Sequence, residues 1–200
     1  YDEEGNEAKA LTGYSSLVDQ GVLSSGSRFV ELCKSATNFR TSNELIAAIP
    51  EEAIENGRRI AMEGYLFPDT YEVYVGSTEE TIINRMITRF YGIITEEYLL
   101  RAAEMDMTID EVVILASLIE KEAKTADFKK VSAVFHNRLN SDMMLQSDAA
   151  IKYMLGSNKL VFSSEELKTD SPYNTHLYKG LPVGPICNPG KAAIEAALWP

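Results

Sequence analysis

The sequence is poor in residues that could hold a protein together covalently or through a metal. Its 200 residues include two cysteines, Cys33 and Cys187, and two histidines, His136 and His176. Two cysteines are too few for a disulfide framework, and two buried free thiols are favoured over a single bridge. No Cys/His spacing matches a metal site. We therefore expect neither a metal nor another cofactor.

Clustered positive charge is also lacking. The chain has 19 basic and 30 acidic residues, a formal net charge of -11, and its densest basic groups are pairs such as Arg58-Arg59 and Lys129-Lys130. Such a balance repels phosphate backbones. Nucleic acid is therefore not an expected partner.

Long apolar runs are absent as well. No stretch approaches the length that spans a bilayer, and no signal-peptide pattern stands at the start. The chain begins at Tyr1 rather than Met, so we expect a fragment or processed form of a longer protein. Membrane attachment is then expected only through an anchor that is missing from this chain.

The length and the local patterns predict one mostly helical domain of the α+β class. Residues 1–59 are predicted to form an N-terminal helical segment with breaks at glycines. Between Glu63 and Val75, alternate apolar residues predict a short strand, which Pro68 confines to an edge or a bulge. Further short strands are an option in the tail, where a long Pro/Gly-rich loop covers residues 170–190.

The strongest helix signal lies between residues 108 and 122. Thr108 and Glu111 form a capping box, and Val112–Ile119 is almost entirely apolar, as in a buried helix. Glu120 follows directly. A carboxyl at the end of a buried helix is expected to lose hydration, which favours the protonated form that a general acid needs.

A plainer interpretation competes with that role for Glu120. Glu120, Lys121 and Glu122 together are also typical of a solvated helix end, which the residues alone favour. Other polar groups are equally open to structural explanations. Asn137 fits a helix C-terminus, Gln146–Asp148 fits a helix N-cap, and Tyr173–Thr175 lies in the long loop.

Taken together and in order, six strings resemble the endolytic murein transglycosylases of the YceG-like family. The strings are EGYLFPDTY (63–71), ASLIEKE (116–122), VFHNRL (134–139), LQSD (145–148), DSPYNT (170–175) and GLPVGPI (180–186). The resemblance covers roughly residues 60–200 and, more loosely, the segment before them. It implies a catalytic domain at 60–200. Residues 1–59 would belong to that domain or be a remnant linker to a missing LysM-like module.

The resemblance implies a role for particular residues. Glu120 matches the family's catalytic glutamate, which acts as the only acid and base when a peptidoglycan strand is cut internally between N-acetylmuramic acid and N-acetylglucosamine. The product carries a 1,6-anhydro end. Residues that would line the glycan groove or support its walls are Asn137, Gln146, Asp148, Tyr173, Asn174 and Thr175.

It also implies a setting for the parent protein. The parent protein is expected to act outside the cytoplasmic membrane and to be anchored to it. Its expected substrate is the peptidoglycan glycan strand, and its expected neighbours are cell-wall synthesis enzymes. Two departures from the family pattern, Ala149-Ala150 after Asp148 and His176 after Thr175, affect the expected glycan contacts.

Two alternatives remain open from the sequence. The first is a hydrolytic muramidase that uses Glu120 with a second carboxylate, for which Glu63, Asp148 or Asp170 are available. The second is a glycan-binding module without catalysis, in which Glu120 has no chemical role.

Overall fold

A computed structural model describes residues 26–74 and 76–200 of the chain, so residues 1–25 of the predicted N-terminal segment lie outside the described residues. The described part contains ten α-helices and two short 3-10 helices. The α-helices are α1 Ser27–Ser35, α2 Thr37–Arg40, α3 Glu44–Ala47, α4 Glu51–Glu55, α5 Glu79–Ile93, α6 Glu96–Glu104, α7 Ile109–Glu122, α8 Phe128–Asn140, α9 Asp148–Leu155 and α10 Lys191–Leu198. The 3-10 helices are Thr125–Asp127 and Glu166–Lys168. In these residues no helix combines the length and apolar character needed to cross a membrane.

The predicted strands were wrong. Neither 63–74 nor the tail contains a strand in the described residues, so the observed fold is helical rather than α+β. Exposure does alternate from Tyr71 to Tyr74, but a strand also needs a partner for its backbone hydrogen bonds. Here the amides of Gly64 and Leu66 donate to the side chain of Asn188, and the Tyr71 hydroxyl donates to the Phe67 carbonyl. Those contacts replace a strand ladder.

Helix α7 is the centre of the domain. Every residue from Val112 to Ile119 is buried, and α6, α8, α9 and α10 all pack against it. Its predicted capping box is confirmed: the Thr108 hydroxyl accepts from the Glu111 amide at 3.2 Å, and the Glu111 carboxylate accepts from the Thr108 amide at 2.8 Å. A helix that is apolar all round requires cover on every side, and its neighbours supply it.

Helix α10 is fixed at its C-terminal end by side chains from two other helices. The last carbonyls of a helix have no partner inside it, and three of them find donors here. The donors and acceptors are Ser132 Oγ to the Ala196 carbonyl (2.6 Å), His136 Nε2 to that of Ala197 (2.8 Å) and Arg101 Nε to that of Leu198 (3.0 Å). This arrangement places the N-terminal end of α10, at Gly190, beside the end of α7.

A buried ion pair joins the segment before α5 to the first turn of α7. Arg58 Nη1 donates to both carboxylate oxygens of Asp110, at 2.8 and 2.9 Å, and the Tyr65 hydroxyl donates to the same carboxylate at 2.7 Å. Arg58 and Asp110 are 3% and 7% exposed. Because both charges are shielded from water, loss of either partner would leave the other buried without a counter-charge.

Candidate active site

Glu120 lies at the end of α7, with its side chain half-buried. Its Oε2 accepts a hydrogen bond from the backbone amide of Gly190 at 3.2 Å. One turn earlier, the fully buried Ser117 accepts from the Ile186 amide at 3.0 Å and donates to the Ile114 carbonyl at 2.7 Å. The loop before α10 therefore runs along the same side of α7 that carries Glu120.

Glu122, two residues further on, is engaged elsewhere. It is exposed, and its Oε1 accepts from the Ser147 hydroxyl and from the Ala149 amide, the latter at 3.0 Å. Ser147 is also the N-cap of α9, since its hydroxyl accepts from the Ala150 amide. The two carboxyls at this helix end thus hold different elements: Glu120 contacts the start of α10 and Glu122 the start of α9.

A tight turn at residues 63–66 forms another part of the site. The Asn188 Oδ1 accepts from the amides of Gly64 at 2.8 Å and Leu66 at 3.1 Å. Gly64 has a φ of +93°, and a Cβ there would lie 2.4 Å from Val113 Cγ1 and 2.7 Å from Pro185 Cγ. Only glycine fits this position, and its absence of a side chain lets the turn, the loop and α7 meet.

Glu63 is a second carboxyl in this region, 3% exposed. Its Oε2 accepts from the Tyr153 hydroxyl at 2.6 Å. Burial raises the pKa of Glu63 to about 7, against the opposing effects of the Tyr153 hydrogen bond and the Arg58 charge. The sequence named Glu63 only as a spare carboxylate, and its burial beside Tyr153 was not predicted.

Three of the predicted glycan-binding residues are buried. Tyr173, Asn174 and Thr175 are 1%, 1% and 2% exposed. The Tyr173 hydroxyl accepts from the Arg59 amide at 3.2 Å, and its ring packs on Tyr153 with centroids 4.9 Å apart. The side chains of all three are therefore closed off from solvent.

The neighbours of Asn174 and Thr175 hold the loop in place. Asn174 Nδ2 donates to the Leu167 and Thr169 carbonyls at 3.0 and 2.8 Å. Thr175 Oγ1 accepts from the Ser147 amide at 2.9 Å. The loop containing residues 173–175 is thereby tied to the start of α9.

The other three predicted residues are exposed. Gln146 has a left-handed φ of +52°, and its backbone amide donates to the Thr175 carbonyl at 2.9 Å. Asp148 Oδ1 lies 3.3 Å from His176 Nε2. Gln146 and Asp148 are therefore brought to the 173–176 segment, whereas Asn137 stands on α8 and no hydrogen bond of its side chain joins it to them in the described residues.

The sequence analysis missed Asn188, Gly190 and Tyr153. Asn188 and Gly190 follow directly on the GLPVGPI string, in the last residues before α10. A polar residue between prolines just before a helix start is the one local signal that pointed to Asn188. The cysteines are unpaired in the structure, and burial raises the pKa of each thiol to about 12.

The fold and site define a helical domain with one half-buried glutamate held against a Pro/Gly-rich loop. The profile of the YceG-like family matches residues 10–200, and this chain belongs to that family. A yceG-like protein of Listeria monocytogenes, known from a crystal structure, superposes with a TM-score of 0.81 at 31% identity. That match covers 96% of this chain and 63% of the Listeria chain.

Curated relatives carry a functional name. An endolytic murein transglycosylase of Streptococcus pneumoniae serotype 2 is 38% identical over 160 residues, covering 77% of this chain and 28% of the relative. An endolytic murein transglycosylase of Bacillus subtilis is 40% identical over 141 residues, covering 70% of this chain and 39% of the relative. The chain thus spans well under half the length of the curated relatives it matches.

Proposed function

We propose that this chain is the catalytic domain of an endolytic peptidoglycan lytic transglycosylase, with Glu120 as its single general acid and base. The observation that carries the proposal is the placement of Glu120: half-buried, at the end of an apolar helix, and oriented by the Gly190 amide. The activity named for the relatives supports the same choice.

The proposed reaction needs one carboxyl in two protonation states. Protonated Glu120 first gives its proton to the oxygen that links N-acetylmuramic acid to N-acetylglucosamine, and the bond from that oxygen to the anomeric carbon breaks. The Glu120 carboxylate then takes the proton of the muramic 6-hydroxyl, while the oxygen of that hydroxyl bonds to the anomeric carbon. The product is a 1,6-anhydro end, no water is consumed, and Glu120 is protonated again.

The state of the neighbouring acids supports this reaction over hydrolysis. Glycosidases that use water or a covalent intermediate need a second free carboxylate. Glu122, the nearest in sequence, holds the start of α9. Of the three carboxylates that the sequence offered, Glu63 is mostly protonated below neutral pH, because burial raises its pKa to about 7. Asp148 lies 3.3 Å from His176, and Asp170 accepts a hydrogen bond from the Tyr178 hydroxyl. Each of these carboxyls is thus protonated or already in contact with another side chain.

The six predicted binding residues divide into two groups in this proposal. Exposed Asn137, Gln146 and Asp148 would contact the glycan directly. Buried Tyr173, Asn174 and Thr175 would hold the wall of the groove, since their polar atoms already bond within the chain. The parent protein would act outside the cytoplasmic membrane, anchored to it and close to the enzymes that synthesise new glycan.

Mass spectrometry of purified glycan strands tests the proposal. Strands are incubated with this chain and, in parallel, with Glu120→Gln, which is nearly isosteric but has no proton to give. We expect internal fragments with anhydromuramic ends from the wild type and none from the variant. Reducing ends instead would establish a muramidase, and binding without cleavage would establish a glycan-binding module.

A matched control separates loss of the acid from a general effect of substitution. Glu97→Gln makes the same change at an exposed position on α6 and should cleave at the wild-type rate. Melting temperatures of all three proteins should agree. Wild-type cleavage by Glu120→Gln would remove Glu120 from the mechanism.

A further inference from the structure

The side chain of Asn188 is held in one orientation by the turn at residues 63–66. Its Oδ1 accepts from the amides of Gly64 at 2.8 Å and Leu66 at 3.1 Å. Because both partners are N–H donors, the carbonyl oxygen of the Asn188 carboxamide must face the turn. The amide nitrogen, Nδ2, must then point away from the turn.

The Nδ2 of Asn188 is an unused donor. It makes no hydrogen bond within the described part of the chain, and it is not among the buried polar atoms that lack a partner, so it faces solvent from a half-buried side chain. Asn174 offers a contrast, because its Nδ2 already donates to two backbone carbonyls, those of Leu167 and Thr169. Asn188 thus presents a donor whose direction is set before any ligand arrives.

This donor is close to the proposed acid. Gly190, whose amide binds Glu120 Oε2, is two residues beyond Asn188, so their Cα atoms are at most ~7.6 Å apart. Cys187, on the other side, has its thiol 3.5 Å from the Ser117 carbonyl, one turn before Glu120. A ligand whose bond is cleaved at Glu120 would pass within reach of Asn188.

We propose that Asn188 Nδ2 donates a hydrogen bond to an acetamido carbonyl oxygen of the glycan beside the bond that is cut. The inference rests on the proposed function, because it takes a strand of N-acetylated sugars as the ligand. A fixed donor gains most from an acceptor that cannot donate, and the amide carbonyl is such an acceptor whereas a hydroxyl is both. Asn188 is then a residue that selects N-acetylated strands.

The decisive substitution is Asn188→Asp. A carboxylate keeps an oxygen for the Gly64 and Leu66 amides, so the anchor of the turn remains, but the donor is replaced by an acceptor. Asn84→Asp, at an exposed position on α5, repeats the change in charge away from the site. Both are made in the Glu120→Gln background, so that binding is measured whether or not the chain cleaves.

Binding is followed by NMR with two neutral probes of the same β-1,4 backbone, tetra-N-acetylchitotetraose and cellotetraose. We expect the Asn188 side-chain NH2 resonance, assigned by its disappearance in Asn188→Asp, to shift with the acetylated probe only. Asn188→Asp should raise the Kd for that probe roughly tenfold at an unchanged melting temperature, in line with the loss of one hydrogen bond. Asn84→Asp should leave the Kd unaltered.

Three results would overturn the inference: an unchanged Kd in Asn188→Asp, a loss of affinity that follows a lowered melting temperature, or no binding of the acetylated probe at all. The cleavage experiment is read separately. If the chain binds the acetylated probe through Asn188 but yields no anhydromuramic ends, the proposed transglycosylase activity fails and the role of Asn188 in recognition stands.

Discussion

The Gly190 amide donates to Glu120 Oε2 at 3.2 Å, which ties the end of α7 to the start of α10 across 70 positions of sequence. A Cβ at Gly190 would lie 3.7 Å from the same oxygen, an ordinary van der Waals distance. The position therefore matters for its N–H group rather than for the lack of a side chain.

Removal of that N–H should slow cleavage. Gly190 has a φ of -78°, which proline can adopt, so Gly190→Pro deletes the donor with little backbone change. We expect kcat to fall by roughly 10- to 100-fold, since a hydrogen bond to the carboxylate that Glu120 forms during the proposed reaction is worth about 1.5–3 kcal/mol. Gly190→Ala, which keeps the N–H, is the control and should retain kcat. Wild-type kcat in Gly190→Pro would show that the bond does not orient Glu120.

Glu63 should make stability depend on pH. Its pKa is raised from 4.5 to about 7 in the folded state by burial, so folding favours the proton-bound form. The stabilisation is complete below the unfolded-state pKa of 4.5 and is lost as pH rises through about 7. A shift of this size corresponds to about 3 kcal/mol, as an order of magnitude.

Glu63→Gln removes this titration and keeps an oxygen for the Tyr153 hydroxyl. Urea denaturation at pH 5 and pH 8 should show that the free energy of unfolding changes less with pH in the variant than in the wild type. At pH 8 the variant should be more stable than the wild type. Glu97→Gln, exposed on α6, should keep the wild-type slope. Equal slopes in Glu63→Gln and wild type would mean that Glu63 does not titrate in this range.

Removal of one partner of the buried Arg58–Asp110 pair should be strongly destabilising. Asp110→Asn leaves the Arg58 guanidinium, 3% exposed, without a counter-charge, and we expect a loss of about 3–5 kcal/mol in chemical denaturation. Lys130→Gln breaks an exposed ion pair with Asp127 and should leave the free energy of unfolding near wild type. A similar small effect for both variants would contradict the importance assigned to burial.

Gly64→Ala should destabilise the site through two separate effects. A left-handed φ costs a residue with a Cβ about 1–2 kcal/mol, and contact with Val113 and Pro185 adds about 1–3 kcal/mol. Gly180→Ala isolates the first effect, because Gly180 has a φ of +83° and no atom within 4 Å of its added Cβ. The difference between their free energies of unfolding measures the crowding at the turn, and equal losses would rule that crowding out.

Much of the helical structure was readable from local pattern. The capping box at Thr108 and Glu111 and the apolar run that follows it predicted α7 and its burial, and the structure confirms both. Ser147, within the predicted N-cap group Gln146–Asp148, caps α9. These signals work because the groups involved are within four residues of one another, so the sequence contains the whole interaction.

The strand prediction failed because a strand depends on a partner that is distant in sequence. Alternation along residues 71–74 reports which side chains face the core, and the exposure of those residues does alternate. Whether the segment becomes a strand depends on a second segment that pairs with it, and no such pairing is formed in the described residues. The division at residues 59 and 60, and the roles of the six binding residues, stay predictions.

The buried helix, the position of Glu120 at its end and the family of the chain were all predictable from the order of the residues. The surroundings of that glutamate were not, because they come from distant parts of the chain. The amide that orients Glu120 comes from 70 positions away, and the Asn188 that anchors the Gly64 turn is 124 positions from it. Contacts at such separations follow no period along the chain, because they arise from the packing of whole helices, and they become visible only once the chain has folded.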